Sequence, residues 1–154
     1  MSSQTATATV EQYEQGAWRG GIVSGLVGGV VMGAMLTMQM TPVIQNAIPA
    51  MYGLSGLAAG WGAHLFHSAV LGLVFAAGLK AVPSLADTRG KSIAAGVAYG
   101  VVLWVVLAAL VMPVWLGAVG FPAPPLPNLN PMSLVGHVVY GAVLGAAFPS
   151  VADL

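Results

Sequence analysis

Apolar residues run along this chain in four long blocks, and the breaks between the blocks carry the punctuation. The blocks cover residues 19–41, 54–79, 92–112 and 132–151. The first stops at Pro42 and the third at Pro113, residues that cannot donate the next backbone bond of a helix, and the second ends at Lys80. At about 1.5 Å of rise per residue, each block is long enough as a helix to cross a hydrocarbon layer about 30 Å thick. Hydrocarbon offers no partner to an unpaired amide, so such spans are helical, and a closed barrel would need many more strands of alternating character. The pattern predicts an all-α integral membrane protein with four transmembrane helices. Residues 1–18, rich in Ser, Thr, Gln and Glu, predict a disordered polar tail, which leaves residues 19–154 as a single four-helix domain.

Composition removes the soluble alternative. Of 154 residues, four are Lys or Arg, four are Asp or Glu and 58% are hydrophobic. Mean hydropathy is +0.89. A soluble domain carries about 25% charged residues; this chain carries 5%. A body of 15.5 kDa has too little interior to hide four such blocks and too little charge to coat them. The absence of cysteine removes disulfides, thiolate metal sites and thiol nucleophiles together. A net charge of zero offers nothing to a nucleic acid, so the expected partner is the lipid bilayer. All four basic residues fall on one side of the alternating path: Arg19 precedes the first span, and Lys80, Arg89 and Lys91 join the second to the third. The other two loops are uncharged. The positive-inside rule then predicts a multi-pass protein of the cell membrane with both termini cytoplasmic.

A phrase is written twice. HLFHSAVLGLVF runs from His64 to Phe75 and HVVYGAVLGAAF from His137 to Phe148, so that His, Ala-Val-Leu-Gly and Phe coincide at an offset of 73. Pro49-Ala50 and Pro122-Ala123 share that offset. These matches predict two tandem helical hairpins, a parallel internal repeat of residues 19–80 and 91–152 related by an axis along the membrane normal. Gly21, Gly25, Gly28, Gly29 and Gly33 on the first span, Gly96 and Gly100 on the third, and Gly141 and Gly145 on the fourth predict close helix contacts, since small residues let backbones approach.

The Gly-rich first helix, the span ending in Met112-Pro113, the loop PAPPLPNLNP and the last helix opening SLVGHVVYGAVLG together resemble a family of small uncharacterised four-helix membrane proteins. That family is common in haloarchaea and broadly similar to the YagU-type inner-membrane proteins. The resemblance covers most of the chain from Arg19 onward, and GHVVYGAVLG at 136–145 is its most specific piece. It implies a four-helix membrane fold and no reaction.

Polar residues inside the spans are the remaining candidates for function. His64 and His67 stand three residues apart on one helix face, His137 is the second copy of His64, and Tyr140 takes the place of His67. Neutral imidazoles suit haem iron or copper, which makes His64, His137 and His67 candidate cofactor-binding residues; the alternative is that each ring closes the structure by bonding a carbonyl. Met32, Met35, Met38 and Met40, with Met51 and Met132 beyond them, offer thioethers to Cu(I) or act as flexible filling. Every acid (Glu11, Glu14, Asp87, Asp153) lies outside the spans, which argues against proton or cation coupling through a carboxylate. No nucleophile–base pair or paired acids can be assembled, so no enzyme and no cofactor are expected. The expectation is a structural, assembly or small binding component of the membrane, alone, as a homo-oligomer or in a larger complex. The alternatives are a haem- or copper-binding subunit and an oligomeric passive pore or transporter.

Overall fold

A computed structural model describes the backbone of residues 2–152 and the side chains of residues 16–152. It contains four long helices: α1 (Ser2–Gln39), α2 (Leu57–Ala81), α3 (Arg89–Ala118) and α4 (Pro131–Ala152). No strand occurs among the described residues. The stretch Gly16–Gln39 of α1 and the whole of the other three are long and apolar enough to cross a membrane. The chain is therefore an all-α bundle of four candidate transmembrane helices. Helix α1 starts at Ser2, so the polar head is drawn as helix where composition predicts a disordered tail. Residues 2–15 contain neither Pro nor Gly, and their Ala, Glu and Gln favour helix.

Pro113 does not end the third span. Helix α3 passes through it to Ala118, after widening into a π-helical stretch, Trp104–Val111, in which the amide of Met112 bonds back to Leu107. Pro113 has no N–H for the carbonyl of Ala109, four residues back, and the backbone N–H of Asn128 donates to it at 2.9 Å from the following loop. Two other prolines are treated alike. Pro49 leaves the carbonyl of Gln45, which accepts from the N–H of Gly56 at 3.0 Å. Pro149, inside α4, leaves the carbonyl of Gly145, which accepts from the buried Ser92 hydroxyl at 2.7 Å. Without water, each such carbonyl would be several kcal/mol out of balance, so a tertiary donor is what allows a helix to carry a proline in the bundle.

Glycines set the packing. Helices α1 and α4 are central: α1 lies on α2 and on α4, and α3 lies on α4. A Cβ built on Gly25 would stand 2.4 Å from the carbonyl oxygen of Ser68, and one on Gly96 would stand 2.1 Å from that of Gly141. Only bare backbones fit at this range, as the glycine spacing predicts. The hairpins α1–α2 and α3–α4 thus close in the same manner. Between them the two contacts differ, because α1 and α4 pack closely whereas α2 and α3 are held apart.

Side chains bridge that gap at two levels. Toward one end, the Tyr99 hydroxyl of α3 donates to the Leu71 carbonyl of α2 at 2.8 Å, and Phe75 lies 5.5 Å from the Tyr99 ring and edge-on to Phe148. Toward the other, Tyr52 in the first loop stacks edge-on with Trp115 of α3 at 5.5 Å and hydrogen-bonds Nε2 of His67 on α2. The first of these ends is the basic one. There Lys80 sits 4.8 Å over the Trp18 ring, the Arg89 guanidinium reaches the Ala146 carbonyl and Ser150 hydroxyl at 3.3 Å, and Lys91 pairs with Asp87 at 2.9 Å.

Candidate functional site

The separation of α2 from α3 leaves a cavity of about 320 Å³ in the half of the bundle nearest the uncharged loops. Its back wall is Met32 and Leu36 of α1, and its floor is Tyr140, Ser68 and Leu71. The π-helical stretch of α3 contributes Leu107, Ala108 and Val111. Its mouth is lined by Phe66 and Val70 of α2 and by Val111 and Trp115 of α3, which are 62%, 41%, 40% and 38% exposed. These residues face outward on the apolar flank, so the opening is a lateral window in the surface that lipid would cover. The Tyr52–Trp115 pair bounds the window at the loop end and the Tyr99–Leu71 bond bounds it at the basic end. A second cavity, about 390 Å³, lies under the Pro-rich loop and shares Met40, Val43, Ala108, Met112 and Ser133 with the first.

All three histidines line the first cavity. His64, buried at 6% exposure, donates Nε2–H to the carbonyl of Gly29 on α1 at 2.9 Å. His137 donates Nδ1–H to Ser133, one turn back on α4, at 2.7 Å. A carbonyl can only accept, so these bonds fix the tautomer of each neutral ring: Nδ1 of His64 and Nε2 of His137 are left as lone-pair acceptors. No buried side-chain nitrogen or oxygen lacks a hydrogen bond among the described residues. Neither free nitrogen has such a bond, so neither is sealed in the core, and the open space that both residues border is the cavity. His67 differs, its Nε2 being occupied by Tyr52.

The histidine phrase therefore brings His64 and His137 to one space, with bonds of different kinds: one ties two helices together and the other stays within its helix. Tyr140 is the counterpart of His67 by offset only. It is 2% exposed, and its hydroxyl donates to the Ser68 carbonyl at 2.9 Å, joining α4 to α2 beneath the cavity. The methionines separate. Met32, Met40 and Met51 line the cavity together with Met112, whereas Met38 is 82% exposed and Met132 43% exposed. No group of three or more His, Cys, Asp or Glu that could hold a metal ion occurs among the described residues.

The sequence reading missed Ser68, Ser133 and Met112. Ser68 lies one turn after His64 on the same face, and its hydroxyl donates to the His64 carbonyl at 2.8 Å. That i, i+4 spacing was a legible signal. Ser133 lies one turn before His137, and Met112 became a lining residue because α3 continues past Pro113.

Residues 16–153 match the family model described as "Family of unknown function (DUF6789)". No curated protein and no solved structure matches the chain. The match spans nearly all of the chain, which belongs to that family.

Proposed function

We propose that this DUF6789 family member is a multi-pass protein of the cell membrane, both termini cytoplasmic, that binds an apolar small molecule dissolved in the bilayer. The observation that carries this reading is the lateral window. A cavity of about 320 Å³, almost wholly apolar in lining, opens between α2 and α3 on the flank that lipid covers. Volumes of about 300–1,000 Å³ with a few placed polar groups are usual for small-molecule sites. A purely structural component would gain stability from closing this gap, since unfilled space forfeits dispersion contacts. The placement of all four basic residues at or near one end of the helices supports the orientation.

The haem- or copper-binding alternative rests on the same histidines and on the thioethers of Met32 and Met40. It leaves the window and the apolar lining without a purpose. The test is retention. Protein purified in mild detergent should carry about one apolar molecule per chain by extraction and mass spectrometry, and a Val70→Trp/Val111→Trp variant, whose indoles fill the window, should carry several-fold less. Equal loading of the two proteins would refute the reading, and stoichiometric copper or haem in the same preparation would favour the alternative.

A further inference from the structure

Resting on that reading, we propose that the molecule bound is a neutral amphiphile with a hydroxyl head, an alcohol or phenol on an apolar body, whose single O–H donates to the imidazole of His64 or of His137. The argument is a donor and acceptor count at the inner wall. His64 gives its only N–H to Gly29 and His137 gives its only N–H to Ser133. The Ser68 hydroxyl is spent on His64 and the Tyr140 hydroxyl on Ser68. What the wall offers is two imidazole lone pairs and one unspent donor, the hydroxyl of Ser133. A ketone, quinone or ester could accept from Ser133 but would leave both lone pairs unmet, and a hydrocarbon would meet none of the three groups.

Charge removes a second class. A carboxylate or phosphate needs a cation, and none lines the cavity. Among the basic residues, Lys80 stacks on Trp18, Arg89 binds the end of α4 and Lys91 pairs with Asp87, all at the opposite end of the bundle. An ammonium head fails for the mirror reason, since no carboxylate lines the cavity. The hydroxyl of Ser133 also borders the cavity and bonds no other described residue, so it can donate to the oxygen of a head group that itself donates to imidazole. A hydroxyl, donor and acceptor at one atom, meets one imidazole and Ser133 together, which a ketone, ether or hydrocarbon cannot do.

The test offers the detergent-purified protein four C18 probes in one mixture: oleyl alcohol, its methyl ether, oleate and octadecene. Protein is then separated by size exclusion and the bound probe is extracted and quantified. The alcohol should be retained about fivefold to tenfold over the ether, the value of one buried hydrogen bond. The double variant His64→Leu/His137→Leu, which removes both acceptors, should reduce that ratio toward one while still loading octadecene. Because a leucine variant can fail to fold, the parent also serves by itself: in 15N-histidine spectra the unprotonated-type nitrogen resonances should shift on adding the alcohol and stay in place with the ether. Equal loading of all four probes, blocked by the tryptophan pair in the window, would overturn the hydroxyl inference and leave the binding reading intact. Preference for oleate would overturn it in favour of an anion site. No loading of any probe would sink both.

Discussion

The tightest backbone approach between α3 and α4 is a place where one methyl group decides stability. A Cβ on Gly141 would lie 2.0 Å from the carbonyl oxygen of Gly96, against a floor near 3.0 Å for real contacts. The obstacle is backbone, not a movable side chain, so Gly141→Ala has to part the helices by at least about 1 Å. A radial gap of 0.5–1 Å forfeits a quarter to a half of each dispersion contact, and overpacking of this kind costs about 1–3 kcal/mol. The control is Gly78→Ala on α2, where nothing lies within 4 Å of the added carbon. There the better helix propensity of alanine is worth up to about 1 kcal/mol. The two substitutions, chemically identical, should differ by about 2–4 kcal/mol. Unfolding in mixed micelles against the mole fraction of dodecyl sulfate, followed by far-UV circular dichroism, measures the difference. If Gly141→Ala unfolds within 0.5 kcal/mol of Gly78→Ala, close glycine packing is not what holds this hairpin.

Ser92→Ala should cost about 1–3 kcal/mol by leaving the Gly145 carbonyl bare in the core, and adding Pro149→Ala should recover most of it, because alanine restores the intrahelical N–H; additive losses in the same unfolding assay would refute the proline argument. Single cysteines at Leu54, Leu85 and Leu129 test orientation: an impermeant maleimide added outside cells should label the first and third and spare the second. Labelling of Leu85 from outside would reverse the charge rule here. Phe75→Ala should cost about 3 kcal/mol or more, since its ring fills the contact between Tyr99 and Phe148, and a loss under 1 kcal/mol would show that side soft.

Four helices were legible because hydropathy in long blocks leaves few choices. Their ends were less so. Pro42 and Pro113 look alike in sequence, yet α1 ends at Gln39 and α3 runs on to Ala118. What separates them is whether a distant N–H reaches the orphaned carbonyl, and the donor at Asn128 belongs to another element. The methionine series misled for a geometric reason: steps of three rotate about 300° around a helix, so Met32 enters the cavity while Met38 faces outward. The histidine phrase was the better guide, since His64 and His137 both border the one cavity. The cavity itself was not legible, because it exists through the separation of α2 and α3, which no local pattern encodes.

The proline-orphaned carbonyls bear on how the two hairpins come together. Gly56 answers Gln45 within the first hairpin, and Asn128 and Ser92 answer Ala109 and Gly145 within the second. Each hairpin thus holds the donors for its own proline-orphaned carbonyls, so neither needs the other to complete those bonds. The hairpins are joined by the α1–α4 seam, by the ring contacts of Tyr52 with Trp115 and of Phe75 with Tyr99 and Phe148, and by two tyrosine hydroxyls, Tyr99 on Leu71 and Tyr140 on Ser68, both donated by the later hairpin to the earlier one. A chain divided between residues 82 and 88 should then reassemble from separately expressed halves, with the window edge formed last.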